Sequence, residues 1–218
     1  LKLKKSSKNI KVNDINDLID ADVNDITFFH SKKYLDSVKS TKAKIIITNS
    51  KLKNMLPKNL FIVEVKNVLL SVAKVTTLFY PNALNDTFDN NVSLINQNKF
   101  TNIKIGQNIL LGKNVKIGKN CSIGHNTIIE SNVVIGDNCK IGNNVVIKCS
   151  IIGNNTTILD CAVIGKKGFG FYPGENKNIR YPHIGRVIIG DEVEIGCNNT
   201  IDRGSLSNTV IGDGTFLD

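Results

Sequence analysis

The sequence predicts a mainly β chain: a parallel β-helix over residues 105–218, preceded by a small α/β domain over residues 1–80. Three observations carry that expectation. An aliphatic residue recurs at every sixth position, in Ile105, Leu111, Ile117, Ile123, Ile129, Ile135, Ile141 and Ile147. Gly follows it at Gly106, Gly112, Gly118, Gly124, Gly136 and Gly142. Residues 1–80 lack this period and carry short β-branched runs and helical spacings instead.

An α-helix would place residues six apart about 240° from one another around its axis, on opposite sides. A period of six suits short flat strands joined by tight turns. The aliphatics then stack inward, and Gly, Asn and Asp between them supply positive-φ turn positions. Four residues after each aliphatic comes a small or medium apolar residue or Thr: Ile109, Val115, Cys121, Thr127, Val133, Cys139 and Val145. Three hexapeptides make one triangular coil, and stacked coils share one core. The pattern resumes out of phase at Ile152, Ile158 and Ile164, then returns at Ile189, Ile195 and Ile201, and at Ile211 and Leu217. Hexapeptide proteins as a class coil left-handed, an exception to the right-handed crossover preference. That handedness is implied by the resemblance to the class, not by the spacing.

In residues 1–80, Asp25 to His30, Ala43 to Thr48 and Leu60 to Val65 read as strands, being short and β-branched. Lys32 to Ser40 reads as a short helix. Asn67 to Tyr80 has Leu69, Val72, Ala73, Thr76 and Phe79 at helical spacing, and Pro81 ends it. Residues 81–104 are either a linker or degenerate first rungs, with Val92, Leu94 and Ile103 as candidate core positions.

The formal charge of +9 is uneven, because residues 1–80 hold 15 Lys and no Arg against 7 acidic residues. Such a domain suits a phosphate-bearing ligand, an acidic partner or an anionic membrane face, the last as peripheral inner-membrane association. A genome-wide bias toward Lys, Asn and Ile explains the same charge. Nucleic acid is disfavoured: no nucleic-acid module is recognisable and the basic domain has no Arg. No apolar run of about 18 residues predicts a membrane span, and no signal peptide follows the Lys-rich start. Since the chain opens with Leu1, its N-terminus is expected to be incomplete. The five cysteines read as free thiols in a reducing, cytoplasmic setting, Cys121 and Cys139 as small core residues one coil apart. No CxxC pair supports a metal site, and His30, His125 and His183 form no cluster at metal spacing.

The repeat has two interruptions. Residues 165–186 (GKKGFGFYPGENKNIRYPHIGR) are expected to loop out, and Phe169, Phe171 and Tyr172 to cover a ligand or a neighbouring subunit. Residues 202–208 (DRGSLSN) form a shorter, polar one.

These interruptions carry a resemblance. GFGF at Gly168 to Phe171, YPHIGRVIIGDEVEIG at Tyr181 to Gly196 and TIDRGSLSNTVIGDGT at Thr200 to Thr215 are similar to the UDP-3-O-(3-hydroxyacyl)glucosamine N-acyltransferases of lipid A biosynthesis. Ile26 to Tyr34 (ITFFHSKKY) resembles that family's uridine-binding segment, and Asn67 to Pro81 the helix before its β-helix. The resemblance implies a homotrimer with active sites between adjacent β-helices. A 3-hydroxyacyl group arrives as an acyl carrier protein thioester, with no cofactor and no metal. The 2-amino group of a UDP-acylglucosamine attacks it, a His acts as general base, and a backbone N–H stabilises the oxyanion. Phe28 and Tyr34 match the aromatic pair that sandwiches uracil. Ser31 stands where the family often has Asn, and His183 where it usually has Gln. Gly168, Phe169, Gly170 and Phe171 form the loop near the active site.

In the family, the segment similar to VIGDGTFLD continues into an IAHN motif bearing the catalytic His. No catalytic residue is therefore assigned within the chain: that His falls beyond Asp218, and the 218 residues are expected to be inactive alone. Ile123 to Asn126 reads IGHN, but His125 comes several coils too early and occupies an ordinary turn position. Two alternatives remain: another hexapeptide acyltransferase, such as a serine or sugar O-acetyltransferase, or a truncated, non-catalytic scaffold.

Overall fold

The computed structural model describes residues 11–85, 87–96, 102–174 and 177–218. The lysine-rich start, residue 86, residues 97–101 and Glu175–Asn176 lie outside the described residues. The chain divides into two compact units. The first holds the described residues up to Asn85 together with Phe169–Pro182; the second holds those from residue 87 to Gly168 and His183–Asp218.

In the first unit four parallel strands lie in chain order: β1 (Asp14–Ile15), β2 (Asp25–Phe28), β3 (Ile45–Thr48) and β4 (Phe61–Glu64). Parallel strands need crossovers, and helices supply a covered face. Helix α2 (Val68–Phe79) meets β1 and β3 and buries Val68, Val72, Ala73, Val75 and Thr76. The predicted helix over Lys32–Ser40 is two pieces, a 3-10 turn (Lys32–Tyr34) and α1 (Leu35–Ser40). The two-residue β1 lies outside the expected strands, since two residues show no alternation. Phe29 and Ile46 are fully buried in this core.

In the second unit, stacked short strands form three parallel sheets. One contains Leu110–Leu111, Ile128–Ile129, Val146–Ile147, Val163–Lys167 and Thr200–Arg203. The second runs from Lys116–Ile117 through Val134–Ile135, Ser150–Ile152 and Val187–Ile189 to Thr209–Ile211. The third runs from Lys104–Ile105 through Ser122–Ile123, Lys140–Ile141, Thr157–Ile158 and Glu194–Ile195 to Phe216–Leu217. The every-sixth aliphatics stack inside, and Ile129, Ile147, Ile158, Ile164 and Ile195 have no exposed surface. Before this stack, Ser93–Leu94 pairs antiparallel with Leu110–Leu111. The inward residue there is Ile95, packed on the core with Ile103, whereas Leu94 is exposed, contrary to expectation.

The division of labour at the turns differs from expectation. The positive-φ position belongs to Asn: Asn108, Asn114, Asn120, Asn126, Asn132, Asn138 and Asn144 have φ between 55° and 64°. Among the described glycines only Gly165 and Gly214 have positive φ. The rung glycines answer a different demand, close approach. A Cβ on Gly118 would sit 2.3 Å from Asp137 Oδ1, and one on Gly190 2.1 Å from Asp213 Oδ1. Those oxygens belong to a ladder up one corner. Lys119 N donates to Asp137 Oδ1, Asp137 N to Asn154 Oδ1, Asn154 N to Asp191 Oδ1 and Asp191 N to Asp213 Oδ1, at 2.6–2.9 Å. The partners are 18, 17, 37 and 22 residues apart. The ladder thus closes across a one-residue deletion and across both interruptions.

The deletion falls at Lys148–Ser150, and with it goes the side chain that would accept from Ser131. Asp89 takes that role: Ser131 N donates to its Oδ2 at 2.8 Å. Hydrogen bonds from Ser131, and from Asn91 beside it, hold the Asp89 carboxyl well below the ordinary carboxylate range.

Candidate functional site

Ser31 turns the chain out of the sheet. Its backbone is extended (φ −150°, ψ 141°) and its Oγ accepts from Lys33 N at 3.4 Å, starting the 3-10 turn that ends at Tyr34. The Ser31 oxygen thus serves as the cap of this turn. Phe28 ends β2, and pairing continues one residue further, with Phe29 N donating to Ile47 O at 2.8 Å. Side chains alternate along extended backbone. Phe29 consequently points into the core, while Phe28 and His30 share the other side.

The structure brings Phe28 and Tyr34 together through a third ring. His30 stacks on Phe28, with centroids 5.6 Å apart and planes at 25°. It also tilts against Tyr34, at 5.2 Å and 40°. Lys33 Nζ lies 5.8 Å from the Tyr34 centroid, and Tyr34 is 38% exposed. Burial lowers the His30 pKa below its usual value, which favours the neutral ring. In the sequence His30 stands out only as a possible metal ligand, but its spacing of two from Phe28 already places both side chains on one side of an extended segment.

The insertion is a hairpin whose root stays in the β-helix. Lys166 and Lys167 remain paired with Asp202 and Arg203, after a bulge at Gly165. There φ is 81° and a Cβ would fall 1.6 Å from Lys148 O, so only Gly fits. The chain therefore leaves the sheet after Lys167, not at Gly165. Gly168 is buried, and a Cβ on it would lie 2.8 Å from Nε2 of the buried His183 and 3.5 Å from Asp202 Oδ2. Beyond it, Phe171–Tyr172 pairs antiparallel with Ile179–Arg180, and Gly170 O accepts from Tyr181 N at 2.9 Å.

Phe169 and Phe171 meet edge to face at 6.0 Å, and the Arg180 guanidinium lies 4.5 Å from the Phe169 centroid. With Asn178 they line a cavity of about 370 Å³. Phe169 remains 78% exposed. Asn67, which sequence reasoning did not single out, does two jobs. Its Oδ1 caps α2 by accepting from Leu70 N at 3.0 Å, and its Nδ2 donates to the Tyr172 hydroxyl.

Other motif residues hold the fold. Arg203 donates to the carbonyls of Gly185 and Ile184 at 2.5 and 2.7 Å. His125 is a ladder member: its Nδ1 accepts from Gln107 N at 2.9 Å and its N–H donates to Asn143 Oδ1 at 2.8 Å. Cys121 and Cys139 are buried free thiols, their Sγ atoms 3.2 and 3.1 Å from the carbonyls of Gly136 and Gly153. Burial pushes the Cys139 thiol up to about 11. Among the described residues no three His, Cys, Asp or Glu side chains converge as a metal would require, and no helix is long and apolar enough to cross a membrane.

Residues 9–78 match the family model described as UDP-3-O-(3-hydroxymyristoyl) glucosamine N-acyltransferase, LpxD. Residues 102–136 and 132–166 match the bacterial transferase hexapeptide, the repeat of the left-handed β-helix. The chain is 42% identical over 203 residues to the UDP-3-O-acylglucosamine N-acyltransferase 2 of Legionella pneumophila, a likeness covering 92% of this chain and 59% of that protein. It is 53% identical over 70 residues to the UDP-3-O-acylglucosamine N-acyltransferases of Rhizobium johnstonii and Rhizobium etli, covering 32% of this chain and 20% of each. The chain thus spans about three fifths of the Legionella protein.

Proposed function

This chain belongs to the UDP-3-O-acylglucosamine N-acyltransferase family, and on that premise we propose that it provides the uridine-binding domain and much of the β-helix of such an enzyme in lipid A biosynthesis. The observation that carries the reading is the likeness to the Legionella protein along 92% of the chain, which takes in both units.

The proposed substrate is a UDP-acylglucosamine. Its uracil stacks between Phe28 and Tyr34, and the Gly168–Phe171 loop serves the acyl-transfer site. The donor is an acyl carrier protein thioester. The sugar 2-amino nitrogen forms the new bond to the thioester carbonyl carbon, the carbon–sulfur bond breaks, and the amine proton passes to a base as the thiol leaves. This balance needs no oxidant and no cofactor. The family resemblance assigns the base to a His in an IAHN motif, which is not among these 218 residues, and the residues present are proposed to bind the nucleotide. A cytoplasmic setting suits the nucleotide-linked substrate and the free thiols.

A homotrimer is proposed as well. On the first sheet Leu110, Ile128, Val146 and Val163 pair in register on the outside, and on the second so do Val134, Ile151, Ile188 and Val210. The third presents Ser122, Lys140, Thr157 and Glu194 instead. Two apolar faces and one polar face suit a symmetric ring in which each copy touches two others.

The test is titration of the 218-residue chain with UDP-N-acetylglucosamine, followed by amide NMR. Shifts confined to residues 26–34 are expected. Unmoved resonances at saturating nucleotide sink the site.

A further inference from the structure

We infer that His30 is a competing occupant of the base clamp, its imidazole holding in the free chain the place against Phe28 and Tyr34 that a uracil ring takes on binding; this rests on reading those two rings as a uracil clamp.

Three observations carry it. His30 is in ring contact with both residues, at 5.6 and 5.2 Å between centroids. A base held between two rings needs both of its faces in contact at about 3.5 Å, hence a clear gap of about 7 Å. A ring already packed on both residues occupies ring surface that such a base would have to use. Second, the placement follows from the backbone: His30 lies two residues after Phe28 on extended chain, and Ser31 then turns Tyr34 back toward it. Third, His30 is only half-buried, so its side chain can rotate into solvent without opening the core. Phe29, between Phe28 and His30, anchors that core and is fully buried.

Binding is then an exchange of one ring for another. Nucleotide meets a site whose open form is a minor state, and apparent affinity falls by that fraction. His30 thereby sets how tightly the domain holds its sugar nucleotide without entering the chemistry. Two ring contacts of ordinary strength keep the open state near one part in ten.

Calorimetric titration with uridine and with UDP-N-acetylglucosamine at pH 7.5 tests this, using the unmodified chain and the variants His30→Ala, His30→Ser and Tyr34→Ala. Both His30 variants are expected to tighten both ligands about tenfold, while Tyr34→Ala abolishes binding. The pair of His30 variants guards against one that folds poorly, checked by circular dichroism. Binding by His30→Ala or His30→Ser at or below the unmodified level, with Tyr34→Ala still inactive, overturns the exchange and leaves the clamp standing. No binding by any form at millimolar ligand overturns both.

Discussion

Asn138 separates the two forces that shape each corner of the β-helix. Its φ is 58°, in the left-handed region. Its side chain accepts from Asn120 Nδ2 at 3.3 Å and donates to Asn155 Oδ1 at 3.2 Å. An Ala at this position keeps the dihedral, because the core on either side fixes it, and meets left-handed strain of about 1.5 kcal/mol that Asn relieves locally. It also loses two exposed side-chain hydrogen bonds, at about 0.5 kcal/mol each. Asn138→Ala should therefore cost about 2.5 kcal/mol. Asn138→Gly loses the same two bonds but meets no strain, and adds about 0.5 kcal/mol of unfolded-state entropy. Its expected cost is about 1.5 kcal/mol. Urea denaturation followed by circular dichroism resolves the gap, since at about 2 kcal/mol/M the midpoints of the two variants differ by about 0.5 M. If Gly costs as much as Ala or more, the left-handed backbone is not what selects Asn, and the account of the corner is wrong.

Two further outcomes follow from the same structure. Asp89→Ala should cost about 1 kcal/mol at neutral pH by leaving Ser131 N–H without its acceptor. Because the folded carboxyl titrates below its unfolded value of about 4, that stabilisation is present above pH 4 and fades as pH falls toward the folded value. Denaturation midpoints of the two proteins should converge on acidification, and a gap unchanged down to pH 2 refutes the role. At pH 8, iodoacetamide should modify the exposed Cys161 and Cys197 first and spare Cys139, whose thiol is raised to about 11, until denaturant is added. Mass spectrometry of the labelled peptides decides the order.

The β-helix was legible because its core repeats in sequence as it does in space: one inward aliphatic per six residues gives one strand per face. The glycines beside those aliphatics were misread, since a recurring Gly says that a side chain is forbidden but not whether a dihedral or a neighbour forbids it. The neighbour belongs to the next coil: a carboxylate or amide oxygen at Gly118, Gly136 and Gly142, and backbone at Gly106, Gly112 and Gly124. The role of Asp89 was out of reach because its partner lies 42 residues on. At the candidate site, sequence supplied Phe28 and Tyr34 through a resemblance. What stands against them, His30, depends on ring orientation, although the two-residue spacing of Phe28 and His30 already placed them on one side of an extended segment.

The corner ladder measures height along the prism, not length along the chain. It joins residues 37 apart with the same bond it uses for residues 18 apart. A chain that leaves one corner and returns to the same column pays no penalty in registry, whatever it carries in between. Both interruptions leave from the first sheet and rejoin at the second, while the column through Asp137, Asn154, Asp191 and Asp213 stands at the next corner, between the second and third sheets, and keeps its register. A foreign peptide entered after Lys167 and closed before Arg186 should be displayed by the scaffold without renumbering a single strand pair, which makes the corner between the first and second sheets the natural site for grafting new recognition loops onto the fold.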